Sequence, residues 1–315
     1  MYRVFIKVNN TIIEPSVKEP VTWTTNWRGA PGSLTLSIIS PGYRVPKGTE
    51  IQLWDNDEKL FFGYVFETTN KKDKTVDITA YDQLRYLKNK DYNAFINMTA
   101  TEIIKKIADD TYMKCGTLED SGYKIASLIK KGTYFDMILE AISLTTTNTR
   151  KLFILDDDFG KLRLRNIANT AVGILLDEES GENYSYSSSI DSDTYNQVKV
   201  VREDKKSKKK SIFIAKDSSR IQEWGLLQLL EDLGENENGQ IKANTLLALK
   251  NRETKRFSLS KCFGDNRLKA GNRCYVKLKT EEEQIDSMML IEKAKHQYYK
   301  DNHLMDLEFI SGVFS

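Results

Sequence analysis

The sequence predicts an α+β protein dominated by strands, in which one β-unit is used twice around a small mixed insertion. Three observations lead there. Residues 1–90 are short runs at strand period broken by turn residues, residues 95–170 switch to helical period, and the last part of the chain repeats the order of the first. The length, 315 residues, exceeds one typical domain, and 40% hydrophobic with 29% charged residues is ordinary for a chain with a real core.

In the first region Tyr2, Val4, Ile6 and Val8 alternate with polar neighbours, as a strand with one buried face requires. Asn9-Asn10, Gly29, Pro31-Gly32, Pro41-Gly42 and Pro46 to Gly48 each close a short β-rich run. Leu34, Leu36 and Ile38 make one face, Ile51 and Leu53 another, and Phe61–Phe66 is apolar at both parities, as in a strand covered on both sides. Strands this short and regular suggest a small sandwich or barrel over residues 1–90.

The period changes near Asn97. Thr99 with Glu102 is a capping box, and Ile103, Ile104, Ile107 and Ala108 then share one helical face, with Gly116 as the expected stop. A second box, Thr133 with Asp136, opens a helix carrying Phe135, Ile138, Leu139 and Ile142. Leu152–Asp156 and Leu162–Arg165 flank the turn residues Asp157 to Gly160 and read as a hairpin. Residues 91–184 are therefore expected to form an α+β insertion.

Strands resume near Ser185 and run through Tyr195 to Val201, so residues 185–315 are expected to form the second β-unit, with a helical insertion at 219–251. In the head, Leu34, Gly48, Val65 and Val76 mark successive strands; in the tail, Leu259, Gly271, Ile291 and Leu304 do the same. This alignment sets Gly48 against Gly271, Leu53 against Leu278 and Val65 against Ile291. It places the helical insertion in the connection that Pro41–Gly48, or a neighbouring loop, makes briefly in the first unit.

Few residues offer chemistry. The three cysteines lack metal-site spacing, and His296 and His303 have no ligand partners near them in sequence. They read as surface or strand-face histidines. Asp156-Asp157-Asp158 could suggest a calcium loop, but the twelfth position is Ile167, so a turn is the reading. Phosphate-loop, metalloprotease and hydrolase signatures are absent. No catalytic, cofactor or metal residue is assigned, and no enzyme is expected. With 47 basic and 45 acidic residues, net charge +2, there is no global pull toward nucleic acid or membrane. No apolar run approaches a membrane span and no signal peptide is visible, so a soluble chain made in a reducing cytoplasm is expected. The run Arg202 to Lys210 reads as a solvated hairpin tip. Trp224, Leu226, Leu227, Leu229 and Leu230 read as a very apolar helix within Arg220–Leu233, and Trp224, Leu227 and Leu230 are the candidate residues for burial against a neighbouring subunit.

Several stretches together resemble the XkdQ/YqbQ family of baseplate hub proteins from defective prophages, tailocins and myophages of Gram-positive bacteria. They are Trp27-Arg-Gly-Ala-Pro-Gly-Ser-Leu34, Phe62-Gly-Tyr-Val65, Tyr81-Asp-Gln-Leu-Arg-Tyr-Leu87, Phe153-Ile-Leu-Asp-Asp-Asp-Phe-Gly160, Tyr195-Asn-Gln-Val-Lys-Val200, Gly264-Asp-Asn-Arg-Leu-Lys-Ala-Gly271 and His303-Leu-Met-Asp-Leu307. The resemblance implies a fold similar to late control protein D, with two tube-like β-barrel domains flanking a mixed insertion. It also implies a homotrimer that joins a sixfold tail tube to a threefold spike. Its partners would be tube, spike and other baseplate proteins, with DNA only in transit through the lumen and no membrane insertion. Its place would be the tail baseplate of a virion or tailocin, assembled in the host cytoplasm. A tail-tip component that binds cell wall or degrades peptidoglycan is the competing reading.

Overall fold

The computed structural model describes residues 1–39, 42–191, 193–203, 210–234, 238–279 and 284–311. The first stretch is β1 (Tyr2–Val8), β2 (Thr11–Ile13), β3 (Val17–Asn26), β4 (Ser33–Ile39), β5 (Glu50–Asp55), β6 (Glu58–Asn70) and β7 (Thr75–Tyr81). The middle holds β8 (Lys90–Met98), α1 (Ala100–Asp110), β9 (Cys115–Leu118), β10 (Ile125–Thr133), α2 (Tyr134–Thr149), β11 (Phe153–Asp157) and β12 (Leu162–Asn166). Two strands follow, β13 (Ala171–Asp177) and β14 (Asn183–Ser189). A smaller unit comes next: β15 (Gln197–Glu203), β16 (Lys210–Lys216), α3 (Ser218–Trp224), β17 (Gln228–Asp232) and α4 (Gly239–Lys250). The chain ends with β18 (Thr254–Phe263), β19 (Arg273–Lys279), β20 (Gln284–Tyr298) and β21 (His303–Ile310).

The mainly-β, α+β class expected from the sequence is the class observed. The alternating faces bury as read: Val4, Ile6 and Val8 on β1, and Leu34, Leu36 and Ile38 on β4, lie in one core. Both capping boxes are complete. The Glu102 N–H donates to Thr99 Oγ1 and the Thr99 N–H to Glu102 Oε2; Thr133 and Asp136 do the same at α2. Gly116, however, lies in β9. The helix α1 has already stopped at Asp110, where the Thr111 hydroxyl takes the Ile107 carbonyl and Tyr112 turns to positive φ.

The segment Arg220–Leu233 is not one helix. Gly225, at φ 77°, ends α3 right after Trp224, and Leu229 and Leu230 lie in β17, paired in parallel with Val198 and Lys199. Leucines at 226, 227, 229 and 230 satisfy both strand and helix spacing, and the left-handed glycine decides between them. Strands β16, β15 and β17 form their own sheet, packed on α4 through Val198, Val200, Ala215, Ala243 and Leu246. The pairing also crosses the expected boundaries. Residues 171–177, inside 91–184, join the large sheet through β19, whereas β15, inside 185–315, stays out of it.

Thirteen strands make the large sheet, in the order β14-β18-β21-β20-β3-β4-β7-β6-β5-β1-β2, with β19 beside β20 and β13 beside β19. Within it the two halves correspond. The series β3-β4-β7-β6-β5 is matched by β14-β18-β21-β20-β19, every neighbouring pair antiparallel in both. Gly48 donates to the Val65 carbonyl and Val65 back to that of Thr49; Gly271 donates to Ile291 and Ile291 back to Asn272. Both glycines need positive φ, 81° and 85°. Each central strand also carries a one-residue bulge just after that contact, at Phe66 and at Glu292.

The Gly48–Gly271 and Val65–Ile291 equivalences therefore stand, but two others need correction. From the ladders, Leu53 matches Val276 and Leu34 matches Phe257, each two residues from the expected Leu278 and Leu259. A slip of two keeps every inward residue inward, so the alternation of apolar residues cannot detect it. The halves also differ: β1 runs antiparallel to β5, whereas β13 runs parallel to β19. The insertion sits between β14 and β18, replacing the short Trp27–Gly32 link between β3 and β4 rather than the Pro41–Gly48 connection. The halves are joined edge to edge, β3 lying antiparallel to the C-terminal part of β20 from Lys293↔Asn26 to Tyr298↔Val21.

Candidate functional site: a buried polar junction and two exposed faces

The most ionised place in the interior is where three segments meet. Asp82 closes β7, and its carboxylate accepts from the Gly32 and Leu84 N–H groups at 2.7 and 3.0 Å. The β11–β12 hairpin brings Asp156 and Asp157 against it, and the β18–β19 connection brings Lys269. Asp156 is held by Arg163 (2.9 and 3.0 Å) and Arg165 (2.7 Å), and Arg165 also donates to Asn272 Oδ1 at 2.7 Å. Asp157 Oδ1 accepts from the Gly160 N–H at 2.8 Å, while its Oδ2 is buried with no partner.

Burial and the arginines pull these acids apart in charge. Burial raises Asp156, but the Arg163 hydrogen bond and the Arg165 charge outweigh it and hold this carboxyl low. Burial pushes Asp157 up to about 7, and Asp82 goes well above its ordinary value through burial and the Asp157 charge. Lys269 is lowered, chiefly by burial. Two neighbouring acids with divided protonation would suit acid–base chemistry in an open cleft. Here the enclosed space is only about 30 Å³, room for one water and no substrate. The arrangement is a tie between β7, the hairpin and the second half of the sheet. Sequence reading missed it as a site, although Gly32, Asp82, Asp156, Asp157 and Lys269 lie in four stretches that carried the resemblance; Arg163, Arg165 and Asn272 lie outside them.

The two histidines are strand-face residues but not surface ones. His296 is fully buried, with Nδ1 3.0 Å from His303 Nε2, and it stacks on Trp23 at 4.9 Å across the β20–β3 junction. His303 in turn stacks on Tyr298 at 4.2 Å. Burial first, then the His303 charge, lowers His296 to about 3, and burial lowers His303. No cluster of three metal-ligating side chains occurs among the described residues. Asp156 and Asp157 end β11, paired with Arg163 and Leu162, and the hairpin turn of the sequence reading starts at Asp158, whose N–H donates to the Lys161 carbonyl.

Of the three interaction candidates, Trp224 is half-buried at the end of α3 with the Arg220 guanidinium 4.3 Å from its ring centre. Leu227 is half-buried in the turn that Asn196 fastens, its N–H on Asn196 Oδ1 at 2.9 Å. Leu230 is exposed on β17. They share no helical face. Instead Leu230 lines up with Lys199 and Ile214 across the small sheet, and Ile212 and Leu226 are also exposed. This gives an open apolar face opposite α4. The tip of the basic run, residues 204–209, lies outside the described residues. A second recess, about 550 Å³, opens between α2, α4 and the end of the large sheet, with an apolar floor of Phe135, Ile142 and Leu246 and basic groups such as Arg28 and Arg252 at its rim.

Over 98% of this chain and 98% of its own, a prophage MuSo2 43 kDa tail protein from Shewanella oneidensis has the same fold, with a TM-score of 0.71 at 14% identity. A tail protein from Neisseria meningitidis MC58 matches 99% of this chain and 98% of its own with a TM-score of 0.74 at 13% identity. In sequence the chain is 32% identical over 295 residues to the uncharacterized protein YqbQ of Bacillus subtilis, covering 89% of this chain and 88% of that protein. It is 30% identical over 309 residues to the phage-like element PBSX protein XkdQ of the same organism, covering 93% and 92%. The model of the YQBQ-like family matches residues 21–310, and the chain belongs to that family.

Proposed function

We propose that this protein is the structural hub of a contractile tail or tailocin baseplate, a homotrimeric adaptor between a sixfold tube and a threefold spike. The observation that carries this reading is the doubled half: the same strand order, the same paired glycine contact and the same bulge, used twice in one chain. Three such chains offer six similar units to one neighbour and three identical chains to another, which is what a change of symmetry needs. The phage-element name of the XkdQ relative and the tail-protein names of the structural neighbours support it. In this reading the second half consists of β13, β14 and β18–β21, and residues 190–253 are an insertion in it. Its place is the tail particle, assembled in the host cytoplasm, and DNA meets the hub only in passing.

Binding is the whole activity in this reading, and the closed acid cluster supports a non-catalytic role. Mass photometry of the purified chain is expected to give three times 36.2 kDa, or the monomer until tube or spike is added; a stable dimer or tetramer would refute the adaptor. Zymography on peptidoglycan is expected to give no lytic band, and pull-down on purified cell wall no retention. A band abolished by Asp157→Asn would establish the tail-tip hydrolase instead.

A further inference from the structure

Inside the chain, the two halves meet through a strand junction of defined register. The C-terminal part of β20 pairs with β21 on one edge and with β3 on the other, and the Trp27 N–H donates to the carbonyl of the bulge residue Glu292 at 3.1 Å. The halves correspond residue by residue, so each side of this junction has a counterpart. The counterpart of Lys293–His296 is Glu67–Asn70 on β6, and that of Trp23–Asn26 is Tyr186–Ser189 on β14. Among the described residues neither counterpart has a strand paired along its outer edge. The β5 ladder ends at Tyr64, so among the described residues no strand lies on the outer edge of Glu67–Asn70, and β14 pairs only with β18.

The β14 edge also lacks the usual protection, whereas the β6 edge carries Glu67 and follows the bulge at Phe66. Asn183 to Ser189 contains no proline, no charge and no bulge against β18, and Ser185, Ser187 and Ser188 are exposed. A bare, flat edge of that kind pairs with other chains unless something covers it. Each chain carries one edge of each sort on different halves, so the contact is head-to-tail and extends to a ring where the rotation closes.

We infer that the occupant is a second copy of this chain: β14 of one copy adds antiparallel to β6 of the next, repeating the internal β3–β20 junction. This rests on the trimer proposed above and assigns its seam. The register carries over. Ser189 faces Glu67, Ser188 faces Thr68, Ser187 faces Thr69 and Tyr186 faces Asn70, with the Ile190 N–H on the Phe66 carbonyl in place of the Trp27–Glu292 bond. Because that bond sits between positions 292 and 27, the internal Lys295–Thr24 pair, and with it Thr69–Ser187, is of the non-hydrogen-bonded kind. Such pairs bring Cα atoms closest, about 4.5 Å apart, within disulfide range.

The test is oxidative cross-linking of the full chain carrying Thr69→Cys and Ser187→Cys, with the exposed Cys115 changed to Ser. A non-reducing gel is expected to show a covalent trimer and nothing larger. The pairing Thr69→Cys with Ser185→Cys, two residues off register, is expected to give none. A chain that is monomeric alone is oxidised in the assembled particle, where the same outcomes apply. Thr68→Pro removes an N–H that points away from β7, so circular dichroism stays unchanged while trimer association weakens roughly tenfold. A trimer by light scattering without the Thr69–Ser187 cross-link, or with the Ser185 one instead, overturns the seam and leaves the trimer standing. A dimer or tetramer overturns both.

Discussion

Replacing Asp156 by Asn is expected to destabilise the fold by about 3–5 kcal/mol at neutral pH, while Asp157→Asn, one residue on, is expected to stabilise it by about 2 kcal/mol. The opposite signs follow from the junction. Asp156 neutralises Arg163 and Arg165, so its loss leaves two largely buried guanidinium groups facing an amide. Asp157 has no cation at hydrogen-bond distance and one oxygen without a partner. The amide keeps the bond from the Gly160 N–H and removes the pressure to ionise. The pH profiles separate the two further. The Asp156 carboxyl is held below its unfolded value, so its contribution is present above about pH 4 and fades as pH falls through the lowered folded value. Asp157 is raised to about 7, so its protonated form favours the fold at pH 4, and that contribution is lost as pH rises toward 7. The gain from Asp157→Asn should therefore be full at pH 8 and vanish at pH 4. Urea unfolding at the two pH values measures both, and equal destabilisation by the two substitutions would mean the acids share one role.

His296 sets the acid limit. Its folded value is about 3 against an ordinary 6.5, so the unfolded chain takes up a proton between these values that the folded chain refuses. Stability from this group is complete above pH 6.5 and is lost progressively as pH falls toward 3, by about 4–5 kcal/mol at the end of the range. The raised Asp82 and Asp157 carboxyls pull the other way over part of that window and the lowered His303 pulls the same way, so the cleanest readout is Asp157→Asn with and without His296→Phe. Phe retains the stack on Trp23 and cannot charge. The single variant should lose urea resistance steeply between pH 6 and 4, and the double variant should lose less. Equal slopes would place the proton uptake elsewhere. Because His296 stacks on Trp23 across β20–β3, the same acid step loosens the junction between the halves.

The buried acid tie and the β20–β3 junction together make the chain one body although it is assembled from two similar halves. The Ala270 N–H on Thr25 Oγ1 (2.9 Å) and the small cluster of Trp27, Ile154, Ala270 and Leu290 fix the same meeting point. In the proposed adaptor, presenting two similar units at a fixed angle would use such a joint.

Alternation of apolar and polar residues, the two Thr capping boxes and the turn residues around Gly48 and Gly160 determined a great deal by themselves. They established strand-dominated ends, a helical middle, the hairpin at 153–166 and the order of the repeated strands, because these signals act between residues near in sequence. The register of the repeat was left open by two residues, since inward positions recur every second residue and only the ladder selects among them. Leu226 to Leu230 fitted strand and helix equally, and the left-handed turn at Gly225 with pairing to β15 decided it. Asp82, Asp157, Lys269 and His296 acquired their character only in three dimensions. Their shifts come first from burial and then from groups brought close by the fold, such as Asp157 beside Asp82 and Asp156 beside Lys269, and no local pattern records a desolvated charge.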